Sequence, residues 1–531
     1  MSLPPSSLIN YPYASGRRVV MGQRGAVATS QPLATLAGME MLWAGGNAVD
    51  AAVAMAIALT VVEPTSNGVG GDLFALVWDG RMHGLNASGK SPAAMTLDQY
   101  KGLTTIPERG WLSVTVPGAV SGWRALWQRW GSLPFEQLFE PAIRYAQEGY
   151  PVSPETSIYW QRAESVYLPL TQPEFQPFRN LFFPKGRAPL PGEVWASLAH
   201  AVTLKTIAAT GGESLYRGAL AQQLATFSAA TGGLLTLADL ANHQPRWVDP
   251  IATTYRDVTV WELPPNTQGI LTLMALNILE GIDLGAHPRE SEQSYHYQIE
   301  AMKLALADGL AHVSDPDSMI RQVSDLLDKT YAEQRRSQIQ EQAISLAQPG
   351  LFPGGTVYLA AADQDLTVSL IQSNFNGFGS GIVVPETGIA LHDRACGFTL
   401  DQGHPNQLGP NKHPFHTIIP GFLSRNGHPW GAFGVMGGAM QPQGHLQMVV
   451  NLVDYGLNPQ AALDAPRWRF SEANRVFLEA TVAPEIAAAL QQRQHQIRRG
   501  GFWGRGQIIL KQNGVLIAGS EPRADGLAIA W

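Results

Sequence analysis

The chain has 531 residues, of which 45% are hydrophobic and 15% are charged. A charged fraction this far below the usual ~25% indicates extensive burial, and the length is ample for a large core. The formal net charge of −7 argues against nucleic acid or an anionic membrane as the main partner. The single cysteine, Cys396, excludes an intrachain disulfide and a cysteine-based zinc site.

The beginning of the sequence contains no basic segment followed by an apolar stretch, the pattern of a secretory signal. No run of about 18 apolar residues marks a membrane span. We therefore expect a soluble, cytoplasmic protein.

Apolar spacing predicts a helix over 32–43, which Gly45 and Gly46 end. Asn47 is a good N-cap for a second helix that reaches Val62, and its nearly continuous apolar surface indicates burial. A Gly-rich loop and a hairpin follow, with strands over 73–78 and 82–86.

The middle of the chain is predominantly helical. The periodicity predicts helices over 121–130, 135–147, 198–209, 220–230, 268–279 and 292–307, a short Thr236-capped helix, one strand over 254–262, and polar helical sequence over 308–350.

Beyond residue 356 the sequence becomes rich in strands. The predicted strands are 357–362, 367–373, 430–435, 476–478 and 507–510, with helices over 441–452 and 485–492. Strands followed by helices, with a strand pair near the end, predict a layered α/β (α+β) fold in which sheet packs on sheet.

The segment from Gly354 to Asp363 places a Gly-Gly pair before a threonine that opens an apolar strand. If the bond before Thr356 is cut, its hydroxyl and its own α-amine form a nucleophile and a general base on one residue. An ordinary glycine turn before a strand would give the same local sequence. The rest of the chain favours the nucleophile.

Several motifs in fixed order resemble the γ-glutamyltranspeptidase family of N-terminal-nucleophile hydrolases. They are Gly45-Gly46-Asn47-Ala48-Val49-Asp50-Ala51-Ala52, Glu63-Pro64 with Gly70-Gly71, Val116-Pro117-Gly118, Gly232-Gly233-Leu234-Leu235-Thr236, Leu263-Pro264-Pro265, Gly354-Gly355-Thr356, Phe378-Gly379-Ser380-Gly381, Gly409-Pro410-Asn411-Lys412, Gly437-Gly438 and Leu452-Val453-Asp454-Tyr455-Gly456-Leu457-Asn458. Their shared order across almost the whole chain makes a chance match improbable.

The resemblance implies a precursor that cuts its own Gly355–Thr356 bond. The products would be a large subunit of residues 1–355 and a small subunit of residues 356–531, associated in a four-layer αββα sandwich. Thr356 would form an acyl-enzyme with an amide substrate, and water or an amine would take the acyl group. A dimer of heterodimers is one further assembly that the processed subunits could form.

Two further groups resemble the catalytic machinery of the family. Gly437 and Gly438 match its oxyanion-binding glycines, although a turn after the strand over 430–435 would also use glycine. Ser373 falls where the family has a second threonine that supports the nucleophile, and serine keeps the hydroxyl.

The substrate-binding positions depart from the family pattern. The family's carboxylate-binding arginine falls at Ser88, with Lys90 nearby as a weaker substitute that lacks a bidentate fork. The family's asparagine falls at Phe375. Its glutamine and aspartate, which hold the substrate amine, fall at Arg394 and Gly397, and its Ser-Ser pair falls at His416 and Thr417.

These replacements remove an acid from the pocket and add a cation. Arg394 would repel a substrate α-ammonium group and suits an acyl group that carries a carboxylate without the amine, such as a dicarboxylic monoamide. This resembles the acylase-like branch of the family, which includes cephalosporin acylases. Alternatively, Arg394 is a structural residue paired with Asp393 or Asp401.

The sequence therefore predicts a self-processing enzyme that acts on a small amide, either a dicarboxylic monoamide or a γ-glutamyl compound. We expect no metal and no other cofactor, because no metal or nucleotide motif is present. The alternative is an unprocessed, catalytically silent family member that binds an acidic small molecule.

Overall fold

The structure is a computed structural model that describes residues 12–13, 16–345, 355–471 and 475–531. Its strands, in chain order, are β1 (Val20–Gly22), β2 (Gly25–Thr29), β3 (Asp72–Trp78), β4 (Met82–Ala87), β5 (Tyr150–Pro151), β6 (Val194–Trp195), β7 (Arg246–Val248), β8 (Ile251–Tyr255), β9 (Val258–Glu262), β10 (Gly355–Asp363), β11 (Thr367–Phe375), β12 (Gly421–Arg425), β13 (His428–Met436), β14 (Trp468–Phe470), β15 (Arg475–Leu478), β16 (Gln496–Arg499), β17 (Arg505–Gln512), β18 (Val515–Ser520) and β19 (Leu527–Ala530).

Helices flank these strands. In chain order they are α1 (Pro32–Trp43), α2 (Ala48–Val62), α3 (Ala119–Trp130), α4 (Glu140–Glu148), α5 (Pro154–Tyr167), α6 (Gln176–Phe182), α7 (Leu198–Ala209), α8 (Glu213–Arg217), α9 (Ala219–Ala230), α10 (Leu237–Asn242), α11 (Gly269–Leu279), α12 (Glu292–His312), α13 (Val323–Leu326), α14 (Lys329–Arg336), α15 (Gln441–Val453), α16 (Pro459–Asp464) and α17 (Pro484–Gln492). None of the described helices is long and apolar enough to cross a membrane.

Two seven-stranded sheets form the centre of the fold. One has the strand order β1-β18-β17-β13-β12-β9-β8 and the other has the order β19-β2-β10-β11-β3-β4-β7. The side chains of Tyr358, Ala360 and Ala362 on β10 contribute to the core between the sheets. The alternate residues Val357, Leu359 and Ala361 face the helical layer that contains α2. This period-2 alternation is what a strand buried on both faces requires.

A second helical layer covers the other sheet, with α11, α12 and α15 packed in one apolar cluster. The three clusters therefore separate four layers, which confirms the predicted αββα sandwich. Each sheet contains strands from both sides of residue 355. A cut after Gly355 would leave the two products sharing both sheets, so the fold itself would hold them together.

The second helix confirms its sequence prediction at both ends. The Asn47 side chain accepts hydrogen bonds from the amides of Val49 and Asp50, and the Asp50 carboxylate accepts one from the Asn47 amide. This capping box fixes the start of α2, and all fifteen of its residues are buried.

Two secondary-structure predictions are wrong. The single strand predicted over 254–262 is the hairpin β8–β9, which turns where Arg256 adopts a φ of 56°. Among its described residues, the predicted helical region over 308–350 contains the end of α12, a three-residue 3₁₀ helix over Pro316–Ser318 and two short α-helices, α13 and α14. Residues 346–350 lie outside the described part of the chain.

Candidate active site

Thr356 lies at the start of β10, where the ladder with β11 is irregular. Gly355 pairs with Phe375 and Val357 pairs with Gln372, so the register shifts across Thr356. A bulge of this kind turns a side chain away from regular pairing. The Thr356 side chain therefore reaches Ser373 while the rest of β10 stays in the sheet.

Ser373 is the hydrogen-bonding centre of the site. Its Oγ lies 3.1 Å from Thr356 Oγ1 and donates to the carbonyl oxygen of Gly355 at 2.7 Å. It also accepts from the Phe375 amide at 2.8 Å and from Nη2 of Arg394 at 3.1 Å. The structure thus places the predicted nucleophile, its supporting hydroxyl and the predicted cleavage bond in one network.

Phe375 has a φ of 74°, which is a costly conformation for a bulky residue. Its ring lies 4.3 Å from the Arg394 guanidinium, within range of a cation–π interaction. The strained turn therefore aims its amide at Ser373 and its ring at Arg394.

Arg394 is fully buried, and burial lowers its pKa to about 10. Its Nη1 donates to Thr417 Oγ1 at 2.9 Å, while its Nε has no hydrogen-bond partner among the described residues. No ion pair joins Arg394 to Asp393 or Asp401 in the described structure, so the structural pairing considered from sequence is not what holds it. The nearby carboxylates of Asp72 and Asp393 offset part of the cost of burying this cation, which donates to the hydroxyls of Ser373 and Thr417.

Asp393 pairs instead with Arg109, whose Nη1 lies 3.1 Å from the carboxylate. The amide of Asn376 also donates to this carboxylate at 3.0 Å. Burial nevertheless raises the pKa of Asp393 to about 6. Asp393 therefore anchors Arg109 at the cavity described below.

His416 lies in a buried network behind the nucleophile strand. Its Nε2 is 3.0 Å from Asp72, and His392 approaches the same carboxylate at 3.5 Å. Burial lowers the pKa of His416 to about 3, which keeps the imidazole neutral. His416 lines neither of the two cavities nearest the site, so the structure does not bring this predicted binding residue to them.

Ser88 is also buried and away from these cavities. Its hydroxyl donates to Asn86 Oδ1 at 2.7 Å and lies 3.3 Å from His413 Nδ1. Lys90 lines a third cavity together with Arg246 and cannot replace the missing family arginine beside Thr356.

The Gly437-Gly438 loop follows β13 and borders the nucleophile. Both residues have positive φ, 134° and 62° respectively, which glycine adopts without steric cost. The side chain of Gln268 donates to the Gly438 carbonyl at 2.9 Å and also to the Thr417 carbonyl. This bridge fixes the loop that is predicted to bind the oxyanion.

A cavity of about 420 Å³ opens at Thr356, and we call it the nucleophile cavity. Gly355, Asn376 and Gly437 contribute to its wall. Five arginines also line it: Arg109, Arg162, Arg469, Arg505 and Arg523. Glu108 is the one carboxylate among the described residues of this wall, although Arg109, Arg505 and Arg523 also pair with carboxylates outside it, those of Asp393, Glu155 and Glu479.

A second cavity of about 370 Å³, which we call the apolar cavity, is lined by Thr417, a hydrogen-bond partner of Arg394. The Arg394 side chain itself lines neither this cavity nor the nucleophile cavity. Phe375 and Thr417, both predicted to bind substrate, line it. Leucine and phenylalanine side chains form much of its wall: Leu271, Leu306, Leu310, Phe398, Leu400 and Phe415. Cys396 also lines it, and burial raises the pKa of its thiol, which keeps it protonated and unreactive.

One buried group away from the cavities has the residue types of a metal site. His296, Glu300 and His495 lie close enough together to share an ion. The Lys303 ammonium already contacts Glu300 at 2.7 Å, and the two imidazoles are joined at 2.8 Å. The Lys303 ammonium therefore already supplies the positive charge that a metal ion would bring to the Glu300 carboxylate.

The sequence reasoning missed most of the cavity wall. Arg109, Arg469, Arg505 and Arg523 come from distant segments, and no single motif contains them. The segment over 498–505 could have indicated part of this wall, because arginine, glycine and aromatic residues are concentrated there.

Comparison with known proteins places this geometry in a family. A γ-glutamyltranspeptidase family model matches residues 34–531. The chain belongs to the γ-glutamyltranspeptidase family. This confirms the resemblance found from the sequence motifs.

Three relatives show the range of the family around this chain. It is 35% identical to the glutathione hydrolase-like YwrD proenzyme of Bacillus subtilis (strain 168), over 96% of this chain and 99% of the relative. It is 34% identical to the oxamate amidohydrolase proenzyme of Klebsiella pneumoniae, over 96% and 98%. The crystal structure of cephalosporin acylase from Bacillus halodurans superposes with a TM-score of 0.94 at 50% identity, covering 100% of this chain and 99% of that one.

Two of these relatives are named as hydrolase proenzymes, and the third is named as an acylase. The chain is therefore an enzyme of the amide hydrolase or γ-glutamyltransferase type, with the fold of the N-terminal-nucleophile hydrolases.

Proposed function

We propose that the chain cuts its own Gly355–Thr356 bond and then uses Thr356 to form an acyl-enzyme with an amide substrate. The observation that carries the proposal is the meeting of Thr356 Oγ1, Ser373 Oγ and the Gly355 carbonyl at the nucleophile cavity. The predicted oxyanion loop at Gly437 lines the same cavity.

The chemistry follows from these positions. The freed α-amine of Thr356 takes the hydroxyl proton as Oγ1 attacks the amide carbonyl carbon of the substrate. Backbone amides of the Gly437-Gly438 loop receive the developing oxyanion. The leaving amine takes the proton as the C–N bond breaks, and water or a second amine then attacks the Thr356 ester.

We further propose that the acyl group carries a carboxylate and has no α-amine. The arginine-lined nucleophile cavity favours an anionic substrate, and Arg394 donates both to Ser373, beside Thr356, and to Thr417, which lines the apolar cavity. An α-ammonium group would face Arg394 where the family has an amine-binding pair, and Gly397 offers no carboxylate there. A dicarboxylic monoamide fits both features better than a γ-glutamyl compound.

Three p-nitroanilides of equal chain length test this specificity. Glutaryl-p-nitroanilide carries the terminal carboxylate, valeryl-p-nitroanilide lacks it, and γ-glutamyl-p-nitroanilide adds the α-amine. We expect kcat/KM for the glutaryl compound to exceed the valeryl value by roughly 10- to 150-fold, the worth of one hydrogen bond to a charged group. The γ-glutamyl compound should be slower than the glutaryl compound.

Arg394→Met should remove this preference: measured per processed enzyme, the glutaryl rate should fall further than the valeryl rate, which loses only the contact of Arg394 with Ser373. Equal loss on the glutaryl and valeryl compounds would contradict the carboxylate assignment. Absence of hydrolysis of all three compounds by a cut enzyme would contradict the substrate class, and absence of cutting would favour a silent binding protein.

A further inference from the structure

Ser373 Oγ has more neighbours than its lone pairs can serve. A serine hydroxyl has one proton to donate and two lone pairs that accept. Two neighbours, the Phe375 amide and Nη2 of Arg394, can only donate, and they lie 2.8 Å and 3.1 Å away. The Thr356 hydroxyl is a third donor, at 3.1 Å, so all of the accepting capacity of Ser373 Oγ is taken.

Ser373 can still donate its own hydroxyl proton, and two oxygen atoms lie within hydrogen-bond distance of Ser373 Oγ. The Gly355 carbonyl oxygen, at 2.7 Å, can only accept, while Thr356 Oγ1 lies farther away at 3.1 Å. In the uncut chain the Ser373 proton therefore goes to Gly355 O.

We propose that Arg394 is a positioning residue for self-processing, because it fixes Ser373 as the hydrogen-bond donor to the carbonyl of the bond that is cut. This inference rests on the proposed self-cleavage of the chain. It gives Arg394 a task in the precursor, before any substrate is bound and separate from recognition of a substrate carboxylate.

The cutting step balances as follows. Thr356 Oγ1 attacks the Gly355 carbonyl carbon, the carbonyl electron pair moves to the oxygen that Ser373 holds, and the Gly355–Thr356 C–N bond breaks. Water carries the hydroxyl proton of Thr356 to the departing nitrogen, which becomes the α-amine. A second water hydrolyses the resulting ester to give the Gly355 carboxylate and free Thr356.

The strained backbone at Phe375 serves the same arrangement. Its φ of 74° turns the amide back to the hydroxyl two residues earlier, as in a local serine turn. The ring then packs on the guanidinium at 4.3 Å, which holds Arg394 against Ser373. Once Gly355 has been cut away, the same two donors leave Thr356 Oγ1 as the acceptor for the Ser373 proton.

The rate of fragment formation, followed by intact mass in a cell-free translation pulse, tests the proposal without substrate. Arg394→Met should slow cutting by about ten-fold or more, the worth of one hydrogen bond to a charged group. Arg394→Lys keeps the charge and a donor, and should cut faster than Arg394→Met. Arg256→Met is the matched control. Arg256 is a partly buried arginine in the β8–β9 turn, where it pairs with Asp454, and it does not contact Ser373.

A double-mutant cycle separates this role from simple destabilisation. Because Arg394 acts through Ser373, Arg394→Met should have no further effect on cutting in a Ser373→Ala background. Multiplicative losses in the double mutant, or a wild-type cutting rate in Arg394→Met, would overturn the proposal.

Two further outcomes are distinguishable. If Arg394→Met does not fold, the Arg394→Lys variant decides, and a folded Arg394→Lys as slow as Ser373→Ala would overturn the assignment. If the wild-type chain itself remains uncut, the proposed function fails, and the role of Arg394 in processing fails with it.

Discussion

Gly437→Ala is the substitution that most directly probes the predicted oxyanion loop. Gly437 has a φ of 134°, and an added Cβ would lie 3.3 Å from Gly504 Cα and 3.3 Å from Met440 Cβ. Alanine in this backbone region costs about 1–3 kcal/mol, so the loop should relax and move its amides. Displacing one oxyanion donor lowers kcat by roughly 10²- to 10³-fold.

The matched control is Gly427→Ala in the turn between β12 and β13. Gly427 has a φ of 75° and open space around its Cα, so alanine there costs about 1–2 kcal/mol without touching the site. The assay is kcat and KM on glutaryl-p-nitroanilide, normalised to the processed fraction, beside thermal unfolding of both variants. Both unfolding temperatures should fall, but kcat should fall only in Gly437→Ala. If Gly437→Ala keeps kcat within about three-fold of wild type, well short of the loss expected for an oxyanion donor, the loop does not bind the oxyanion.

Three other substitutions give distinct expectations. Asn47→Ala removes the cap of α2 and should cost about 1 kcal/mol in the free energy of unfolding, with kcat unchanged. Burial raises the pKa of Glu63 to about 7, so its stabilising contribution is greatest below pH 4.5 and is lost as the pH rises to about 7. Glu63→Gln should therefore flatten the fall of the unfolding temperature across that window, and an unchanged slope would contradict the assignment. Leu310→Trp narrows the apolar cavity and should raise KM for long acyl chains by roughly ten-fold while sparing acetyl amides; equal effects on both would show that acyl chains do not enter there.

The sequence predicted elements well where local chemistry and burial agree. The helix from Asn47 to Val62 has a complete capping box and a continuous apolar run, and both of its ends match the structure. The strand at Thr356 was predicted because its apolar residues are flanked by glycines on one side and a polar turn on the other.

The failures occur where tertiary contacts override local signals. The turn at Arg256 contains no glycine, proline or asparagine, and its left-handed residue is held by bonds from its guanidinium to Asp454 and to the carbonyls of Glu280 and Ile282. The strand β2 is a Gly-Ala-Val-Ala-Thr segment with weak strand preference, and it forms because β10 and β19 pair with its two edges.

The candidate site shows the same division. Thr356 could be located from the sequence because it lies in a motif of the family, and Ser373 because it falls where the family has a second threonine. The positions of Ser88 and His416 could be matched to the family, but their side chains turn to Asn86 and Asp72 instead of the cavities. The five arginines of the nucleophile cavity converge only in the folded chain.

The measurement that tests the central claim most directly is intact mass of the purified wild-type chain beside Thr356→Ala. We predict two wild-type fragments that divide between Gly355 and Thr356, and one uncut chain for Thr356→Ala. A single uncut mass for both proteins, or fragments of the same masses from Thr356→Ala, would contradict Thr356 as the self-processing nucleophile.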